Sequence, residues 1–165
     1  MWLTILTTIL FTAFSPLPVK AKALVHGKSH FHEVVLSKYQ KAYLKAFKAE
    51  LARKGQKEEV RFLISMISSE SNGKPWVVSH IVRGGKDLWH CGPVQTQVFT
   101  WEECLKIQTD SRYAADKALG TLRVHRSILR VTRNWPGDVL MRCSWKQGPN
   151  HPFCRSIRAT LFPTS

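Results

Sequence analysis

Apolar residues recur along this chain at spacings that predict helices over most of its length. From Glu33 to Lys54 they fall near helical positions: Val34, Val35, Tyr39, Ala42, Tyr43, Ala46, Phe47 and Leu51. Gly55 supplies a natural stop. Glu58 to Ser69 is denser in apolar residues and predicts a second, more buried helix. Ser71 to Gln97 carries glycines, prolines and Val77-Val78, which reads as an irregular stretch with short strands. Thr100-Trp101-Glu102-Glu103 has the threonine-to-glutamate spacing of a capping box and opens a third helix. Asp110-Ser111 starts a fourth helix reaching about Val131, with Tyr113, Ala114, Ala118, Leu122, His125 and Leu129 as its core stripe. Trp135-Pro136-Gly137-Asp138 reads as a turn, with Asp138 capping a short helix to about Trp145. Pro152 to Phe162 forms a last helix. The pattern predicts a mainly α single domain with little strand. Strand signals are too few for an α/β sheet.

The amino terminus is patterned differently. Trp2 to Phe14 is apolar apart from threonines, Ser15-Pro16-Leu17-Pro18 breaks the run, and Ala21-Lys22-Ala23 is a small-x-small cleavage pattern. Residues 1–23 therefore read as an export signal. The run is short for a bilayer span. No Lys or Arg precedes it, so a retained anchor is the alternative. Export predicts a periplasmic or secreted protein. The chain holds 25 Lys and Arg against 11 Asp and Glu, a net charge of +14. Such a field draws a protein to polyanions. Export favours anionic wall polymers over nucleic acid, which is not expected as a partner. Lys38, Lys41, Lys45 and Lys48 on the first helix read as a solvated face that also suits a wall surface. A monomer is expected.

Four cysteines, Cys91, Cys104, Cys143 and Cys154, are an even number in an exported chain and suggest disulfides. Four cysteines allow three pairings. Cys91–Cys104 with Cys143–Cys154 is the expected one, because each closes a short loop. No Cys-x-x-Cys occurs, and His90-Cys91 is a single dipeptide. The cluster His26, His30 and His32 lacks compelling ligand spacing. No metal or cofactor is expected.

Glu70 is the residue of most chemical interest. It ends the run Val60-Arg61-Phe62-Leu63-Ile64-Ser65-Met66-Ile67-Ser68-Ser69, in a chain that uses acids sparingly. Burial disfavours a carboxylate's charged form. A carboxyl kept protonated near neutral pH is what general-acid chemistry needs. Two further segments follow it: Gly92-Pro93-Val94-Gln95 and Trp145-Lys146-Gln147-Gly148-Pro149.

Glu70-Ser71-Asn72-Gly73, then Gly92-x-x-Gln95, then two helices, then aromatic-x-x-Gly148-Pro149 together resemble the soluble lytic transglycosylases. That family is related to goose-type lysozymes and has the lysozyme-like fold. The resemblance spans about Val60 to Pro149, and it implies a catalytic domain over residues 58–165 after an N-terminal helical segment over 24–57. Pro93-Val94 stands where the family has Leu-Met, Trp145 where it has tyrosine, and Lys146 where it has asparagine.

The resemblance implies cleavage of the β-1,4 bond between N-acetylmuramic acid and N-acetylglucosamine. Glu70 would protonate the glycosidic oxygen and then accept the proton of the sugar's C6 hydroxyl, leaving a 1,6-anhydro end. This route needs no second carboxylate, whereas a typical glycosidase needs two. Asp87, the only other acid between Glu70 and Gln95, reads as a solvated turn residue. Gln95 would bond the sugar or position the acid. Ser71 would orient Glu70 or satisfy the helix end. Trp145 and Lys146 would face the substrate, while Trp76, Trp89, Trp101 and Trp135 read as core. The alternatives are a hydrolytic lysozyme on the same fold, a non-catalytic peptidoglycan-binding protein, and a cationic antimicrobial or nucleic-acid-binding protein. The replacements at Trp145 and Lys146 favour the second of these.

Overall fold

The computed structural model describes residues 30–131 and 138–163. The expected signal at 1–23 and the turn residues Trp135, Pro136 and Gly137 lie outside them. Six helices and one small sheet occupy the described residues. They are α1 (His30–Lys54), α2 (Lys57–Ser71), β1 (Val78–Arg83), β2 (Lys86–Cys91), β3 (Thr96–Val98), α3 (Trp101–Thr109), α4 (Ser111–Leu129), α5 (Asp138–Gln147) and α6 (Pro152–Leu161). The structure is thus mainly helical with little strand, as the apolar periodicity predicts. The chain divides into two compact units between Tyr39 and Gln40, and all features of the site lie in Gln40–Ser165.

The core of that unit is apolar side chains from nearly every helix. Phe47, Leu51, Leu63, Met66, Ile107, Leu122, Leu140 and Met141 are fully buried. On α4 the stripe is Ala114, Ala115, Ala118, Leu119, Leu122 and Leu129. Tyr113 and His125 sit at its half-exposed margin. Small alanines let α4 approach its neighbours closely, which places the long helix at the centre of the unit.

Polar residues fix the helix ends. Thr100 Oγ1 accepts from the Glu103 N–H, and Asp110 accepts from the Arg112 and Tyr113 N–H groups. Asp138, expected as a cap, is the first residue inside α5. At the start of α2 the Gln56 side chain and Glu59 cap each other reciprocally. Glu59 is almost fully buried, yet it meets Arg123 Nε and Nη2 at 2.9 Å each and Arg126 at 3.5 Å. Burial pushes its carboxyl up. The Arg123 hydrogen bonds, the Gln56 N–H and the two guanidinium charges together outweigh that and hold it below the usual carboxylate range. This buried acid ties α2 to α4.

The stretch from Ser71 to Gln97 is more regular than its composition suggests. It forms an antiparallel sheet in the order β1-β2-β3. β1 and β2 are joined through Gly84-Gly85, with φ of 59° and 73°, as a two-residue hairpin loop requires. Most of β1 is exposed, so its apolar residues do not alternate cleanly with polar ones. One sheet face carries Ile81, Arg83, Leu88, His90 and Gln97. The other carries His80, Asp87, Trp89 and Cys91. Trp89 lies between the His80 ring at 4.0 Å and Trp101 at 5.0 Å. Cys91–Cys104 bolts this second face to α3, and Cys143–Cys154 joins α5 to α6, with Cα separations of 5.5 and 5.7 Å. Both pairs are those the short loops predict.

Candidate active site

Glu70 lies in the last turn of α2. The helix ends in left-handed backbone at Asn72 (φ 50°) and Gly73 (φ 74°), whose N–H groups bond back to Ser68 O and Ile67 O. The chain therefore turns sharply and leaves Glu70 at the helix rim. The two later segments come to it. Ser71 Oγ is 2.7 Å from Pro93 O and 3.1 Å from Ile67 O, so its single proton is shared between the loop and its own helix. Trp145 Nε1 donates to Val94 O at 2.6 Å. Lys146 Nζ stands 3.4 Å from Glu70 Oε1. Three segments far apart in sequence thus come together at the end of α2, where Lys146 contacts the Glu70 carboxyl.

The Glu70 side chain is only 13% exposed. Its Oε1 is the one buried side-chain polar atom without a hydrogen-bond partner among the described residues. The Lys146 contact is an ion pair by distance, without hydrogen-bond geometry. Leaving a buried acceptor unmade costs about 1–3 kcal/mol, and native folds keep few such groups.

Lys146, which meets Glu70, also lines a recess of about 80 Å³ between the hairpin, α4 and the end of α5. Leu88, His90 and Gln97 form its sheet side; His125, Trp145 and Lys146 form its helical side. It shares Gln97, Thr121 and His125 with a second cavity of about 340 Å³ edged by Phe99 and Val124. The smaller space holds only part of a drug-sized ligand, for which about 300 Å³ is usual. The shared lining places the two cavities side by side along α4, an arrangement that suits a chain-like ligand.

No family model, curated protein or solved structure matches this chain.

The sequence-predicted site residues divide into two groups. Glu70 and Lys146 are together. Trp145 is buried, with its N–H committed to Val94 and its ring against Phe62 (6.3 Å) and His125 (5.8 Å). It forms a wall of the recess. Gln95 has φ 51°, and its amide nitrogen is spent on Val77 O (3.0 Å) and Gly92 O (3.1 Å). Its donors pin the loop, so only its oxygen is left for a ligand. Ser71 fastens the helix end to that loop and does not orient the Glu70 carboxyl.

Asp87 sits on the opposite sheet face from His90, 60% exposed, with His80 Nε2 at 2.7 Å. It cannot serve the recess without leaving the strand. The acids beside the second cavity are engaged as well: Glu103 with Lys117 and Asp116 with Lys54, each at 2.5 Å. The Lys117 hydrogen bond holds the Glu103 carboxyl below its usual range. Of these four acids only Glu70 lacks a hydrogen-bonded partner.

Two residues of the recess escape the sequence reading. His90 looks like half of a His-Cys dipeptide until β2 is recognised, when alternation puts it on the face of Leu88. His125 falls in the α4 stripe and reads as core; in fact it lines the recess, with Nδ1 3.1 Å from Ser144 Oγ. Burial pushes both imidazoles down from the ordinary histidine value, and for His90 the nearby Glu70 charge partly opposes this. Among the described residues no group of three or more His, Cys, Asp or Glu could hold a metal ion. No described helix is long and apolar enough to cross a membrane. The two disulfides suit an oxidising compartment.

Proposed function

We propose that this protein is a peptidoglycan-cleaving enzyme of lytic transglycosylase type, with Glu70 as its general acid and base. The observation that carries the reading is the meeting of the Glu70-Ser71 helix end with the Pro93–Gln95 loop, through Ser71, and with the Trp145-Lys146 segment, through Lys146. These are the segments that the resemblance marks as catalytic. Glu70 protonates the glycosidic oxygen, and the C1–O4 bond breaks. The C6 hydroxyl of the muramic sugar then closes on C1, and its proton ends on Glu70, which restores the acid. Lys146 serves as countercharge while the carboxyl is ionised. The low exposure of Glu70 keeps bulk water away from the reacting oxygen.

Asp87 on the far sheet face supports this route over a hydrolytic lysozyme. Hydrolysis with inversion needs a base about 6.5–9.5 Å from the acid, and with retention a nucleophile at about 5–5.5 Å. Residues 1–23 are read as an export signal, which would deliver the domain to the periplasm or the cell exterior, where its disulfides persist. A net charge of +14 would hold it near anionic wall polymer. Purified sacculi incubated with the protein should release fragments whose muramic ends are 1,6-anhydro by mass spectrometry. Free reducing ends would favour the hydrolytic lysozyme. No fragments at all from folded protein, with binding to sacculi intact, would favour a wall-binding protein.

A further inference from the structure

His90 has no part in the steps just described, yet it lines the same recess as Lys146, whose Nζ stands 3.4 Å from Glu70 Oε1. β2 pairs with β1 on one side and β3 on the other, so the backbone at His90 is held by Ser79 and Gln97. Cys91, the next residue, is fixed by its disulfide to Cys104. The imidazole is therefore presented from a braced central strand. It is half-buried, and Glu70 is near enough for its charge to act on the ring.

We infer that His90 is the base of the glycan reaction: a ring nitrogen takes the C6 hydroxyl proton while Glu70 protonates the departing oxygen. This rests on the function proposed above and divides between two residues the transfers assigned there to one. The balance closes without an oxidant or co-reactant. Glu70 gives its proton to O4 as the C1–O4 bond breaks. O6 forms the new bond to C1, and its proton passes to His90. The imidazolium then returns that proton to the Glu70 carboxylate, and both groups are reset.

Three observations favour His90 for this step. Among the described residues no second acid lines the recess, since Asp87 lies across the sheet and Glu103 and Asp116 are paired. Burial keeps the imidazole neutral near neutral pH, which leaves a lone pair to accept a proton. The charged and titratable groups that line the recess with His90 are Arg83 from β1, His125 from α4 and Lys146 from α5, and Glu70 from α2 meets Lys146. Of these only Glu70 favours an imidazolium, which suits a proton held briefly and handed to that residue. His125 is the less suitable base, because its Nδ1 is already engaged with Ser144.

The test is steady-state digestion of sacculi by wild type, His90→Gln and Glu70→Gln, followed across pH. His90→Gln should lower kcat by about 10²-fold, as loss of one proton-transfer group does, with KM within a few-fold. The acidic limb of the wild-type pH–rate profile, which titrates below the ordinary histidine value of 6.5, should vanish in this variant. NMR titration of the His90 ring gives a readout that does not depend on the variant's folding. In Glu70→Gln protein the His90 pKa should fall, because the opposing charge is gone. A wild type that digests sacculi while His90→Gln keeps its rate and profile overturns the His90 assignment alone. So does a His90 pKa unmoved by Glu70→Gln. A folded wild type that releases no fragments overturns the glycan reading and this inference with it.

Discussion

Replacing Glu70 by glutamine removes one charge and keeps the shape of the side chain, and it separates a working carboxyl from a structural one. If Glu70 exists to anchor α2 through Lys146, its loss should weaken the fold. The geometry predicts otherwise. The Lys146 partner is half-exposed and 3.4 Å away, and such pairs contribute at most about 1 kcal/mol. Against that stands a buried Oε1 with no hydrogen bond, a cost of about 1–3 kcal/mol. Glutamine relieves only part of it, because a polar atom remains. The net effect should lie between zero and about 2 kcal/mol of stabilisation, a Tm from unchanged to several degrees higher. Release of fragments from sacculi should fall by about 10²–10⁴-fold. Calorimetry and sugar release on one preparation give both numbers. A variant that digests sacculi at the wild-type rate would remove Glu70 from the mechanism. A variant destabilised by more than about 2 kcal/mol would make it a structural salt bridge.

Asp87→Asn should keep most of the activity in the sacculus assay, since the residue lies on the far sheet face; a dead, folded variant would restore it as a water-activating base. Replacing Cys91 and Cys104 together by alanine should cost about 3 kcal/mol, as expected for a loop of this length. Activity should fall before the fold melts in denaturant, because the bridge braces His90 and Gly92. Gly92→Ala should destabilise by about 1–3 kcal/mol of overpacking, since a Cβ there would come within 2.5 Å of the Ile107 Cγ2 in addition to the positive φ of 77°; an unchanged Tm would contradict this contact. The Glu59 carboxyl is held below its unfolded value of 4.5, so its contribution is complete above that pH and is lost as pH falls through the folded value. Arg123→Ala protein should show a shallower loss of stability below pH 4.5 than wild type in urea titrations; identical slopes would mean the pair is not coupled to folding.

Helices and bridges were legible in the sequence because both are local. The apolar spacing on α4 and the Thr100 and Asp110 caps depend on residues within one or two turns, and each cysteine pair closes a short loop. The hairpin was harder, since its strands expose both faces near the tip and so lack clean alternation. Gly84-Gly85 was the available signal, a pair suited to a two-residue turn. Glu59 was not legible at all. It looks like one more acid at a helix start, and its arginines lie more than sixty residues away. For Trp145 the resemblance marks a position near the acid, but sequence cannot tell which way an indole N–H points. Its bond to Val94 fixes it as a wall of the recess. His90 was hidden for the same reason as the hairpin, because its side is known only once its strand is known.

The glycine tip between β1 and β2 gives the molecule a place to carry a label. A Cβ at Gly84 or Gly85 would meet nothing within 4 Å, so only the backbone angles limit what can be attached there. Asparagine tolerates those angles best after glycine. One strand in from the tip, Arg83 and Leu88 already line the recess. A small fluorophore spliced at this turn would sit at the edge of the recess without disturbing the packing. Quenching on addition of glycan would then report occupancy in real time, independently of whether any bond is cut.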